Sequence, residues 1–165
     1  MRAYFTLLSR YNNWANQTLY AAIGTLPPEE IARDRRGFFR SISGALNHVL
    51  LADKVWLARM LGVEYGWFKS LDQILFDDFE ELRREREATD HAILAAIPQL
   101  PLTGELSYVN SRREPTVAPW TVVLGHFFNH QTHHRGQAHD MLTQAGGKAP
   151  PLDILYFPRD SFQPG

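Results

Sequence analysis

Residues 129–140 read NHQTHHRGQAHD and hold four of the chain's seven histidines, with His126 just upstream. If these histidines face a common interior, the chain is a helical bundle with a metal chemistry. If they do not, they are ordinary packing residues. On a helix, residues four apart share a face and sit about 6 Å apart along the axis. His126, His130 and His134 form two such pairs in series. They cannot all hold one ion, because eight residues rise ~12 Å. Periodicity separates them. At ~100° per residue, with the core centred on Phe127, the inner face takes Trp120, Val123, Leu124, Ala138, Met141 and Ala145. His134 then falls near the centre of that face and His130 near its edge. His126 and His133 lie further round towards solvent, and His139 is on the opposite flank. This helix should begin near Pro119 or Trp120 and end at Gly146-Gly147.

Three further segments carry helical periodicity. The first runs from about Ala3 to Ile23, with Tyr4, Leu7, Leu8, Tyr11, Trp14, Ala15, Thr18 and Ala22 on one face and Pro27-Pro28 as its stop. The second, about Ser41 to Leu61, has an inner stripe of Ala45, His48, Val49, Ala52, Val55 and Trp56, and Gly62 as its C-terminal stop. The third spans about Phe76 to Ile97 and ends at Pro98. Its charge run, EELRRERE, reads as a solvated face supported by a Glu80–Arg84 pair rather than as a contact patch. The connection 99–118 contains LSYV, a short strand that pairs with residues near 114–117 if a hairpin forms. Four amphipathic helices make an all-α four-helix bundle the economical architecture, in a single domain over 1–165. The tail APPLDILYFPRDSFQPG is rich in proline, yet its Leu152, Ile154, Leu155, Tyr156 and Phe157 should pack on the bundle.

Composition excludes several classes. A formal net charge of −1 offers no general attraction to nucleic acid or to an anionic membrane. The absence of cysteine removes disulfides, thiolate zinc sites and a cysteine nucleophile, and it fits a reducing cytoplasm. The N-terminus lacks the pattern of a signal peptide, and no apolar run approaches the ~20 residues that span a bilayer.

The second segment supplies a third inward histidine. His48 shares its stripe with Ala45, Ala52 and Val55. Facing His130 and His134, it completes a three-imidazole set that leaves coordination positions open for water or substrate. Asp53 is a poor fourth ligand, since five residues turn it ~140° away from His48. A lone inward histidine is more often a satisfied core residue, and HxxxH without the glutamate of HExxH is a weak motif. Three inward histidines on two helices are a stronger signal, because buried imidazoles need partners and a metal supplies one. Imidazole ligands suit zinc, nickel, copper or iron.

HFFNHQTHHRGQAHDML (126–142) resembles the fourth-helix signature of the DinB-like (DinB/YfiT) family of metal-dependent proteins. RSISGALNHVLLADKVWLARMLG (40–62) resembles its second-helix signature, and YNNWANQTLY (11–20) its opening helix. The resemblance implies a bundle whose helices run up, down, down, up, with two long crossovers. It implies His48, His130 and His134 as metal ligands, the same three that periodicity selects. His126 and His133 resemble recurrent family positions that are not the usual ligands. Some family members are thiol S-transferases, one is a thiol-dependent isomerase, and many are known only as stress-associated proteins.

The expected function is therefore that of a divalent-metal protein, with zinc or nickel as the ion, acting as a transferase or hydrolase through an activated thiol or water. A small-molecule substrate and a low-molecular-weight thiol are the expected partners, and the resemblance suggests a homodimer. The alternatives are a non-catalytic stress-associated metal module and an interaction protein whose histidines satisfy one another. Arg59, on the stripe of His48, could bind a substrate anion or reach solvent from the helix end. Tyr11 could orient substrate or fill the core, and Asn129 and Gln131 could support His130. Trp67 and Phe68 either cover the bundle end or serve an interface.

Overall fold

Ser41 and Gly62 bound the second periodic segment for local reasons. The Gly44 N–H donates to Ser41 Oγ at 3.0 Å, and Gly62 takes a left-handed φ of 67° that closes the last turn. In the computed structural model, which describes residues 1–158 and 160, this segment is α3 (Ile42–Leu61). It follows α1 (Arg2–Ile23) and α2 (Pro28–Ala32), and precedes α4 (Phe79–Ala96), β1 (Glu105–Val109), β2 (Pro115–Pro119) and α5 (Trp120–Gln144). The chain is thus mostly helical with one small strand pair, and a purely all-α description is too simple.

α1 ends at Ile23, ahead of Pro27-Pro28, and Pro28 then opens a short helix that the sequence reading did not include, since a proline fits the first helical position, where no N–H is needed. One boundary differs from expectation. α4 starts at Phe79, not at Phe76. The Asn47 side chain holds Phe76 outside the helix, accepting from its N–H and donating to its carbonyl, both at 3.0 Å. Asp78 caps α4 instead, accepting from the Glu81 N–H at 2.8 Å. The hairpin is present: Ser107 pairs with Val117 in an antiparallel ladder, and Asn110 Oδ1 folds the turn by accepting from Arg112 and Glu114 N–H groups.

Contacts fix the helix directions. α1 and α4 are antiparallel, with Tyr20 stacked on Phe79 at one end and Arg2 donating to the Pro98 and Leu100 carbonyls at the other. α3 and α5 are antiparallel, since His48 meets His130 and Trp56 meets His126. α1 lies parallel to α5 through Phe5–Phe128 and Asn16–Arg135, and α3 lies parallel to α4 through Asn47–Phe76 and Lys54–Glu85. In chain order the four long helices run up, down, down, up. Among the described residues, no helix is long and apolar enough to cross a membrane.

One apolar cluster, with Leu19, Ile23, Ile42, Leu82 and Leu142, fills one end of the helices, and another, with Phe5, Ile93, Trp120, Leu124 and Phe127, fills the other. Between them lies a buried polar layer. Arg86 pairs with Asp53 at 2.5 Å and with Asp90 at 2.8 Å, and all three side chains are no more than 2% exposed. Asn12 and Asn16 donate to Asp90 at 3.2 and 3.1 Å and accept from Arg135 at 2.6 and 3.1 Å. Gln131 donates to Asp53 at 2.9 Å.

This layer corrects three sequence readings. Arg86 belongs to the EELRRERE run but is not a solvated residue, and Glu80 pairs with Arg83 instead of Arg84. The inner face of α1 is rotated from the aromatic stripe: Tyr4 is exposed, while Asn12 and Asn16 are buried. The centre of the inner face of α5 is Gln131 and Arg135, not His134. In the tail, Phe157 is buried against Tyr11 and Trp14, whereas Leu155 and Tyr156 are exposed. The rest of the tail, residues 159 and 161–165, lies outside the described residues.

Burial raises the Asp53 carboxyl to about 6, against the lowering effect of Arg86 and Gln131, and it raises Asp90 as well. A carboxyl raised in the fold contributes stability below its unfolded value near 4 and loses it as pH rises through the folded value. Arg86→Met removes the cation that both anions share and pushes both higher. It should cost about 3–5 kcal/mol near neutral pH, and the penalty should shrink on acidification towards about pH 5 as both carboxyls take up protons. Urea denaturation at the two pH values measures both effects.

Candidate metal centre

α3 and α5 bring His48, His130 and His134 together at the edge of the polar layer. One nitrogen from each imidazole lies within 4.8 Å of the others, and among the described residues these three form the group that could hold an ion. The ring centroids are 5.1 Å apart for His48–His130, 4.5 Å for His48–His134 and 4.3 Å for His130–His134. His48 is buried, and the other two are half-buried, on the flank of α5 that faces α3.

The outer hydrogen bonds set the tautomers. His48 Nδ1 lies 2.8 Å from the Leu71 carbonyl, which can only accept, so Nδ1 carries the proton and Nε2 keeps its lone pair. His134 Nδ1 lies 2.8 Å from Gln137 Oε1, with the same consequence. The Gln137 amide then donates from Nε2 to His133 Nε2 at 3.3 Å, which fits this orientation. His48 Nε2 and His130 Nε2 are 3.3 Å apart. Two ligands at 2.0–2.1 Å from one tetrahedral ion are separated by about 3.3–3.4 Å. The donor set therefore fits a divalent ion, with the outer nitrogens of His48 and His134 anchored in the way that metal-binding histidines favour.

Electrostatics keeps the rings ready. Burial, together with the nearby His134, His48, His126 and His133, pushes His130 down to about 3. Burial also lowers His48 and His134, opposed by their bonds to Leu71 and Gln137. All three are neutral lone-pair donors at neutral pH. Phe39 stacks on His48 with centroids 3.9 Å apart and rings 18° from parallel, and it meets the His134 ring edge-on at 5.3 Å. A pocket of about 710 Å³ opens beside the cluster, lined by Phe38, Phe39, Leu71, Asp72, His133 and Gln137 as well as the three histidines.

Other sequence candidates have other roles. The Tyr11 hydroxyl donates to the Leu152 carbonyl at 2.6 Å and ties down the tail. Gln131 serves Asp53, and Asn129 is exposed. Trp67 lies beneath the Lys54 ammonium at 6.0 Å, while Phe68 and Arg59 line a second pocket that also reaches His48 and His130. His126 and His133 are exposed, and His139 bonds the Pro150 carbonyl at 2.7 Å. Sequence reasoning missed Phe39, Leu71 and Gln137. Gln137 follows His134 by three residues on one helix, a spacing that could have been read. The Leu71 contribution is a backbone carbonyl and has no side-chain signature.

The family model described as the DinB family matches residues 1–164. Protein DinB of Bacillus subtilis (strain 168) is 30% identical over 152 residues, covering 88% of this chain and 88% of that protein. The crystal structure of a DinB-like protein from Bacillus cereus superposes with a TM-score of 0.61 at 18% identity, covering 83% of this chain and 89% of that chain, a likeness of fold.

Gln137→Leu removes the acceptor that fixes the His134 tautomer without touching the core. It should weaken zinc affinity by about 10–100-fold with an unchanged circular dichroism spectrum, as measured by competition against a chromophoric chelator.

Proposed function

The chain belongs to the DinB family, and from that premise we propose that it is a divalent-metal enzyme of the transferase or hydrolase type, with His48, His130 and His134 as the ligands. The observation that carries this reading is the convergence of three neutral imidazoles, two of them with the outer nitrogen held by a hydrogen bond, at the wall of an open pocket. A bound divalent ion would supply Lewis acidity, lowering the pKa of a thiol or water so that the nucleophile exists near neutral pH. Zinc and nickel suit such a donor set.

The chain's own residues divide the remaining work. His48 and His134 present Nε2 because Leu71 and Gln137 hold Nδ1–H. Phe39 shields one face of His48 from water and fixes its plane. Phe38, 86% exposed, extends apolar surface over the pocket mouth, where a substrate body would lie. Asp72 lines the same pocket and supplies a carboxylate to accept the proton released from a thiol or water. A thiol cosubstrate suits a chain that has no cysteine. A purely structural metal module would favour a closed set of four protein ligands. The three-histidine group beside a pocket favours the catalytic reading.

Metal analysis by mass spectrometry on tag-free protein tests this. Close to one equivalent of ion per chain is expected, lost in a His130→Ala/His134→Ala double variant that remains folded. Absence of metal from the wild type after exposure to zinc and to nickel would overturn the proposal.

A further inference from the structure

A second pocket, of about 270 Å³, runs along α3 from His48 and His130 to Arg59. Its middle is apolar, with Val55, Trp56 and Phe68 among its walls, and Ser111 and His126 lie at its margin. Arg59 is the one permanently charged residue that lines it. The guanidinium sits in a box of three rings, with its central carbon 4.9 Å from Trp56, 5.2 Å from Tyr108 and 5.5 Å from Tyr65. Its Nε donates to the Tyr65 hydroxyl at 3.0 Å, and that hydroxyl in turn donates to the Val109 carbonyl at 3.0 Å. Among the described residues, no carboxylate forms an ion pair with Arg59.

A cation in the last turn of a helix is favoured by the helix dipole alone. The dipole does not account for three aromatic faces and a hydroxyl that hold this side chain at a pocket wall. Anchoring through Nε leaves the Nη1–Nη2 edge, the planar fork that matches a carboxylate with two parallel hydrogen bonds. A single positive charge suits a monoanion better than a doubly charged phosphate. The Cα of Arg59 lies about 16 Å along the helix from that of His48, and the arginine side chain leans back towards the N-terminus and shortens the gap.

We propose that this pocket is a subsite for a small carboxylate-bearing ligand with an apolar body, in which Arg59 receives the carboxylate and the opposite end of the ligand lies at His48 and His130. It assigns a substrate class to the reading above and rests on that reading only for what happens at the histidine end. His126 stands beside Trp56, with ring centroids 5.1 Å apart.

The test uses 4-phenylbutyrate and its primary amide, titrated by calorimetry into wild type, Arg59→Met and Ser111→Asp, each stripped of metal and then loaded with zinc. In both forms of the wild type the acid should bind about tenfold or more tighter than the amide. Both variants should lose that preference. Ser111 is exposed in the hairpin turn, so Ser111→Asp places a competing carboxylate at the pocket margin without disturbing the core, and it keeps the test valid if Arg59→Met misfolds. Equal binding of acid and amide by the wild type, no binding of either, or a preference retained in a folded Arg59→Met protein would each overturn the subsite. A preference seen in protein that binds neither zinc nor nickel would support the subsite while overturning the metal reading.

Discussion

The ion pairs of Arg86 with Asp53 and Asp90 are the constraint on which the other contacts of this bundle depend. Charges this deeply buried are tolerated when they are paired and most of their hydrogen-bonding capacity is met; among the described residues, Arg86 Nε and Gln131 Oε1 have no hydrogen-bond partner. Here the partners come from every long helix: Asn12 and Asn16 from α1, Asp53 from α3, Arg86 and Asp90 from α4, and Gln131 and Arg135 from α5. Apolar side chains tolerate a slip of one turn far better than a layer of this kind does, because a slip would strand a carboxylate or a guanidinium without its counterpart. The layer therefore sets register as well as packing.

That register places the histidines. Asp53 follows His48 by five residues on α3, and Gln131 follows His130 by one on α5. The Gln131–Asp53 hydrogen bond locks these two helices at the level where the His48 and His130 nitrogens stand 3.3 Å apart. A rotation of ~100° between neighbouring residues sends Gln131 inward while His130 faces the cleft. The same geometry explains why the histidines occupy an edge of the bundle. The centre of α5 belongs to Gln131 and Arg135, which leaves His130 and His134 half-buried, desolvated enough to stay neutral and open enough to be reached.

Much of this was legible in the sequence, and the limits follow from the physics. Ser41, Gly62, Pro98 and Gly146 mark helix ends by local chemistry, so the long helices could be placed to within a few residues. His48, His130 and His134 stood out because a histidine on an apolar stripe is conspicuous. Arg86 did not stand out, since a charged residue within a charged run looks the same whether it is solvated or paired with Asp53 33 positions away. Asn12 and Asn16 were hidden by the stronger aromatic stripe beside them, and that error turned the reading of α1 by part of a helical turn.

The loop before α3 shows how local strain is put to use. Arg36 and Arg40 both adopt left-handed backbone, φ 59° and 66°, where a side chain is disfavoured. Asp34 stabilises both: it accepts from the Arg36 N–H at 2.7 Å and from Arg40 Nε at 2.9 Å. Between them Gly37 passes so close to Met141 that a Cβ there would fall 2.6 Å from the methionine methyl. Strain of this kind persists only where surrounding contacts over-determine the backbone. Its product is the position of Phe39, stacked on His48 and edge-on to His134. With Leu71 and Gln137 fixing the outer nitrogens of these two rings, Phe39 fixes their planes. Two loops and one helix neighbour thus complete a geometry that the helix stripes alone would leave free to rotate.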